Sequence, residues 1–366
     1  MSQIAIITLH SPHNFGAMLQ AYALQTAIAS LGHNAEILDY GSHPQAPEIF
    51  NRSDLKALPH AFLCFVHRKA RYKRFERFAA FADQHMKLTR HYTDRNSLRE
   101  HPPQHDVLVC GSDQIWNPTH HDFQPEFFLH FGQDTARRIA YAPSFGVAEI
   151  PGDKQQPLAR VTRSIGHLSC RETSGVKVLE NITGRHVTHV CDPTLLLTAE
   201  TWLSIAKAPQ DLPGKYILVY ALENSPALRE AVAKITITLS LPVVCIQVNV
   251  RNPDFPCTRV IRDAGPREFL GLVANASYII TNSFHGCVFS ILFQKQFFSP
   301  LHGKLNERMR DFFSFTGLTD CQDLAVTLKS LPRQIDYEAV HSILNGLITN
   351  SKEYLKNAIE DDAKAA

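Results

Sequence analysis

The segment Tyr278-Ile-Ile-Thr-Asn-Ser-Phe-His285-Gly286 joins a short β-branched run to capping residue types and a histidine. The run reads as a buried strand, after which Asn282 or Ser283 caps a helix starting near Phe284. The free N–H groups and dipole at such a helix start suit an anion. His285, in the first turn, can there donate to a phosphate or carboxylate, or move a proton. The same pattern also fits a capped helix with an ordinary polar histidine, and the segment alone leaves both readings open.

Three further segments place polar groups directly after apolar runs. In Val109-Cys-Gly111-Ser-Asp113-Gln-Ile-Trp116-Asn117-Pro118, Ser112, Asp113 and Asn117 would line the mouth of a cleft. Asp113 can accept protons from sugar hydroxyls or act as a base, or the segment is a turn with Trp116 as a core anchor. In Ser169-Cys-Arg171-Glu172, the arginine offers a fork for phosphate or carboxylate, or makes a salt bridge to Glu172. The loop His10-Ser-Pro-His13-Asn14-Phe-Gly16 either touches substrate or forms a tight turn capped by Asn14.

The elements that must position these residues alternate. Strands are expected at 4–9, 35–40, 106–110, 138–142, 168–171 and 187–191, with a helix over 16–31 ended by Gly32 and a mainly helical stretch at 54–88. A turn-rich break falls at 207–215. The alternation then restarts with strands at 216–220, 243–248 and 278–281 and helices at 226–239, 266–275 and 284–293. This predicts an α/β protein with parallel sheets. Residues 1–207 form one domain, residues 208–335 a second, and residues 336–366 a final helical segment able to pack across either. In open α/β sheets, ligands bind beyond the carboxyl ends of the strands.

The 366 residues suffice for two domains of roughly 150–200 residues each. With 44% hydrophobic and 20% charged residues, a packed core is expected rather than disorder. A net charge of +2 does not point to nucleic acid. The eight cysteines form no Cys-x-x-Cys pair and several lie in apolar runs, which reads as buried free thiols in a reducing compartment. The N-terminus reads as a strand, not a signal peptide. The apolar runs fall short of the ~20 residues of a spanning helix, so a cytoplasmic protein is expected.

His101/His105, His120/His121/Asp122 and His186/His189 have spacings seen in metal sites, but none shows His-Glu-x-x-His order, and no metal is expected. Gly-x-Gly-x-x-Gly after the first strand, a Walker-type lysine loop and Gly-x-Ser-x-Gly are all absent. The basic stretch at 67–77 is either a solvated outer face on a packed helix or a contact with anionic lipid at the inner face of a membrane. Phe62, Phe65, Tyr72, Phe75 and Phe78 are expected on its apolar side.

Taken in order, these pieces resemble the polysaccharide pyruvyl transferase family across residues 4–315. They are Asn14-Phe-Gly16 with Gln20-Ala-Tyr22-Ala-Leu24-Gln25; Gly32-His with Ile37-Leu-Asp39-Tyr40; Gly111–Asn117; Ala140–Gly146; Arg171-Glu172; Asp192-Pro193 before Leu195–Leu197; and Thr281–Gly286. The resemblance implies two Rossmann-like domains facing a cleft, similar to the B-type glycosyltransferases. It implies transfer of a pyruvyl group from phosphoenolpyruvate to a sugar, commonly on a lipid-linked acceptor, to give a pyruvate ketal without a further cofactor. His285 and Arg171 match the family's proposed donor-site histidine and arginine. Many members carry Arg-Leu before that histidine, where this chain has Ser283 and Phe284, so Ser283, helix N–H groups, Arg251, Arg262 or Arg267 would have to substitute. On this reading His285 and Asp113 are catalytic, Arg171, Ser283, Asn282 and Gly286 bind the donor, and Asn14, Ser112 and Asn117 face the acceptor. The competing expectations are a sugar-nucleotide glycosyltransferase on the same scaffold, with an acidic residue near Glu268, and a non-catalytic glycan-binding member.

Overall fold

The computed structural model describes residues 1–10, 14–41, 58–119, 123–147, 149–300, 306–332 and 335–361. Its first sheet is built from β1 (Gln3–Ile7), β2 (Asn34–Tyr40), β3 (Leu88–Tyr92), β4 (Val107–Cys110) and β5 (Arg137–Ala140) in the order β3-β2-β1-β4-β5. Every pairing is parallel. Two short parallel strands, β6 (Ser169–Cys170) and β7 (Thr188–His189), continue it beyond β5. Ser169 Oγ makes that join, donating to the Ala140 carbonyl and accepting from Ala142 N–H.

The second sheet repeats the plan with β8 (Ile217–Tyr220), β9 (Val243–Ile246), β10 (Arg259–Ile261), β11 (Tyr278–Thr281) and β12 (Phe297–Phe298), in the order β10-β9-β8-β11-β12 and all parallel. In each sheet the strand order reverses once, between β1 and β4 and between β8 and β11. Crevices open at the carboxyl ends of such reversals.

The halves share one core. The Phe15–Ser30 helix is apolar around most of its circumference and buries Phe15, Met18, Leu19, Leu24 and Ile28, as a helix with core on every side must. Phe15 stacks on Phe269 of the second half at 4.9 Å, and Tyr22 and Phe289 meet Trp202 edge-on. The 24-residue Tyr337–Glu360 helix spans both halves. Tyr337 Oη donates to the Lys295 carbonyl and Tyr354 Oη to the Ala140 carbonyl. All eight cysteines are free.

Two expectations are corrected. The stretch at 54–88 is mainly helical as expected where it is described, in two helices, Leu58–Val66 and Arg68–His85, but the strand that follows, Leu88–Tyr92, was not expected and joins the sheet edge as β3. The basic run is not a simple outer face, because Arg74 donates to the Val248 carbonyl, Arg77 to the Asp263 carbonyl, and Lys73 pairs with Asp263 at 3.1 Å. Its aromatic residues divide too. Phe78 is buried, whereas Phe62, Phe65 and Tyr72 are exposed. No helix among the described residues is long and apolar enough to cross a membrane.

Candidate active site

The β11 strand ends at Thr281, whose Oγ1 accepts the Ser283 N–H at 3.1 Å. Ser283 then caps the Phe284–Leu292 helix, its Oγ accepting from Gly286 N–H at 3.3 Å. Gly286 is required because an added Cβ would press into the Thr281 side chain. Asn282 ties the second sheet's reversal together, accepting from Leu222 N–H and donating to the Glu223 carbonyl, each at 2.8 Å. This frame buries His285 to 7% exposure. Its Nε2 stands 3.5 Å from Asp192 Oδ2, and its Nδ1 edge lies on Gly16 at the start of the Phe15–Ser30 helix.

From the first half, Arg171 follows β6 and is equally enclosed. Its Nη1 donates to Asp192 Oδ2 at 2.5 Å, its Nε reaches Glu172 at 3.4 Å, and its Nη2 stands 3.6 Å from Asp113 Oδ1. The guanidinium lies 4.6 Å over the Phe284 ring. Burial works against its charge, but Asp192, Glu172 and Asp113 outweigh that and hold its pKa above the ordinary arginine value. Asp192 is the link between the halves. Its Oδ1 accepts from Thr194 N–H at 3.0 Å and Thr194 Oγ1 at 2.7 Å, while Oδ2 meets both Arg171 and His285. Burial would raise its pKa, yet His285 and Arg171 hold the carboxyl well below the usual range. Asp192 was not among the site residues expected from sequence. Its signals were its place after a strand and the Asp192-Pro193 piece of the family resemblance.

A small pocket, open to solvent, lies on this pair, with Arg171, His189, Asp192, Phe284, Asp311 and Phe315 in its walls. His285 stands just behind the wall, against Asp192. The Thr173–Thr183 helix begins at the same place, and the Asp311 carboxylate accepts both its Thr173 N–H, at 2.8 Å, and the Thr173 hydroxyl. A carboxylate already occupies the anion position of that helix start. Arg171 is thus surrounded by Asp113, Glu172 and Asp192, with Asp311 nearby. Among the described residues, Arg171 Nη2 and His285 Nε2 are buried and make no hydrogen bond.

Of the remaining expected residues, only Asp113 reaches this centre. Asp113, at φ +64°, faces Arg171 and serves as its counter-charge. Ser112 is fully buried. It donates its N–H to Gln20 Oε1 and its hydroxyl to the Ala142 carbonyl, and its own carbonyl accepts from Thr8 Oγ1. Asn117 is consumed by Gln114 and Thr119, and Asn14 caps the Phe15–Ser30 helix. Trp116 is the core anchor, stacked 4.9 Å from Phe128 with its indole N–H on the Phe127 carbonyl. Of the substitute arginines, Arg262 binds Asn249 and Asn252, Arg267 binds the Ile205 carbonyl, and Arg251 is exposed. Glu268 accepts the Gly265 N–H and pairs with Arg77. His105 pairs with Glu36, His186 faces Glu180, and His189 meets the Arg171 carbonyl. Residues 120–122 lie outside the described residues, among which no group of three His, Cys, Asp or Glu is arranged to hold a metal ion.

A family model described as polysaccharide pyruvyl transferase matches residues 14–299. No curated protein matches the chain. Among solved structures, the UDP-GlcNAc 2-epimerase from Neisseria meningitidis bound to UDP-GlcNAc is similar at a TM-score of 0.51 and 11% identity, over 98% of each chain. UGT89C1 from Arabidopsis thaliana, complexed with UDP-L-rhamnose, is similar at 0.50 and 11%, over 97% of this chain and 98% of that one. These likenesses concern the fold, which is that of the B-type glycosyltransferases.

Proposed function

The chain belongs to the polysaccharide pyruvyl transferase family, and on that premise we propose that it moves a pyruvyl group from phosphoenolpyruvate to two hydroxyls of a sugar, forming a cyclic ketal. The observation that carries the reading is Asp192 Oδ2, which joins Arg171 of one half to His285 of the other at the wall of a pocket. A proton delivered to the methylene carbon of phosphoenolpyruvate turns it into a methyl group and leaves C2 electron-poor. One sugar hydroxyl gives its proton back to the histidine as its oxygen bonds C2, and phosphate departs. The second hydroxyl adds to C2 and its proton is released, so phosphoenolpyruvate and a diol become a ketal and phosphate.

His285 is the proton donor in this scheme. Asp192, 3.5 Å from its Nε2, fixes the ring, as a carboxylate partner does for a catalytic histidine. Arg171 offers Nη2 to the donor's carboxylate or phosphate. The carboxylates around it keep it charged and oriented, and they favour the positive charge that develops at C2. Phosphate meets Arg171 and the N–H groups of the Thr173–Thr183 helix start in place of the arginine absent at 283, which requires Asp311 to swing aside. The acceptor is a sugar, with lipid-linked forms within the proposal. Contact of the exposed Phe62 and Phe65 with the inner face of a membrane belongs to the same proposal.

The sugar-nucleotide alternative needs a free acidic group near Glu268, whose carboxylate is engaged by Gly265 N–H and Arg77. The test compares leaving groups. With methyl hexosides as acceptors, inorganic phosphate should be released from phosphoenolpyruvate only when acceptor is present. Nucleotide released from a sugar nucleotide instead would replace the proposal. Thermal stabilisation by phosphoenolpyruvate with no turnover would indicate a non-catalytic binder.

A further inference from the structure

A second group of chemistry-bearing side chains lies at the carboxyl edge of the first sheet. Asp39, near the end of β2, is buried, and each of its oxygens faces an imidazole. Oδ1 is 3.6 Å from His10 Nε2, and Oδ2 is 3.2 Å from His91 Nδ1. His10 follows β1, with its Nδ1 3.2 Å from the Thr8 carbonyl. His91 stands opposite Asp39 in register on the edge strand β3.

A structural carboxylate with two counter-charges would account for these distances alone. Three further observations point to a ligand. First, the side chains of His10 and His91 keep 15% and 32% of their surface open to solvent, so the group is reachable. Second, His10 follows β1, which borders the strand-order reversal, and hydrogen bonds link that strand end toward Arg171. Thr8 Oγ1 bonds the Ser112 carbonyl, and the next residue, Asp113, faces Arg171. Third, Ser112 and Asn117, which would otherwise meet the acceptor, are bonded internally.

We propose that His10, Asp39 and His91 form the acceptor subsite, and that its ligand is a sugar presenting two neighbouring hydroxyls. This rests on the pyruvyl-transfer reading. A carboxylate accepts two O–H donors, and an imidazole can both donate and accept, so the group matches the alternating polarity of a diol. Neighbouring strands stand ~4.8 Å apart, so His10 and His91, one strand either side of Asp39, span about the width of a monosaccharide.

The test uses methyl glucoside, galactoside and mannoside with the full-length protein. Saturation-transfer NMR without donor should show at least one of them binding the wild type. Asp39→Asn and His91→Gln should each weaken that binding by about tenfold or more, the loss of a charge-assisted hydrogen bond. In turnover, the acceptor KM should rise while the phosphoenolpyruvate KM holds. His91→Gln sits on the exposed edge strand and reads the same subsite if Asp39→Asn lowers the melting temperature. A wild type that binds no glycoside, a folded Asp39→Asn protein that binds as the wild type does, or equal changes in both KM values would overturn the subsite. Glycoside binding lost in the variants while the wild type releases no phosphate would support the subsite and refute pyruvyl transfer.

Discussion

Gly16→Ala sets two forces against each other. Gly16 is the second residue of the Phe15–Ser30 helix, where alanine should stabilise by about 0.5–1 kcal/mol through helix propensity. The space at Gly16 predicts the reverse. An added Cβ would lie 2.6 Å from His285 Cε1 and nearer still to Cγ and Nδ1. His285 is held between Asp192 and the Phe284 ring, centroids 5.3 Å apart, so it cannot retreat without leaving Asp192. Overpacking of this kind costs about 1–3 kcal/mol, so a net loss of roughly 1–2 kcal/mol is expected. On a chain of this size that lowers the melting temperature by a few degrees. A ring displaced by ~1 Å should cost about 10²-fold in kcat. The assay is a cycle of thermal melts on the wild type, Gly16→Ala, His285→Ala and the double variant. With the ring gone, Gly16→Ala should become stabilising. A Gly16→Ala protein that is more stable than the wild type, or a destabilisation that persists without the ring, would refute the packing argument.

Asp192→Asn should destabilise by about 3–5 kcal/mol in urea unfolding, since it leaves the buried Arg171 short of its closest partner. The Asp192 carboxyl is held below its usual range, so the native state binds fewer protons than the unfolded chain. Its contribution is fully present above about pH 4 and lost as pH falls, and Asp192→Asn should flatten that acid limb. Ser283→Ala should cost about 1 kcal/mol by removing the cap on Gly286 N–H, read as a lower melting temperature. Asp311→Ala should lose about 1 kcal/mol of helix capping yet lower the KM for phosphoenolpyruvate, because it frees the Thr173 N–H for the donor. A raised KM would assign Asp311 to donor binding instead.

What the chain revealed in advance depended on how local each feature is. The 278–281 strand, the Ser283 cap and the helix after it were readable because apolar run, cap and helix start are contiguous. The β3 strand was missed because Leu88-Thr-Arg-His-Tyr92 is a polar edge strand following directly on a helix. The two-residue β12 strand offers no period to recognise. Arg171 and His285 could be singled out from their positions after strands, but their meeting at Asp192 is a tertiary fact without a short-range pattern. Ser112 and Asn117 misled for the opposite reason. Polar residues after a strand suggest a site, and here they serve the turn that presents Asp113.

The central claim is that His285, positioned by Asp192, drives pyruvyl transfer from phosphoenolpyruvate. It is tested most directly by mass spectrometry of methyl glycosides incubated with phosphoenolpyruvate and either the wild-type or the His285→Ala protein. The wild type should add one pyruvate ketal to at least one glycoside, and folded His285→Ala should add none. A ketal formed by His285→Ala at the wild-type rate would contradict the role assigned to that residue. No ketal from the wild type across the hexosides would contradict the proposed activity.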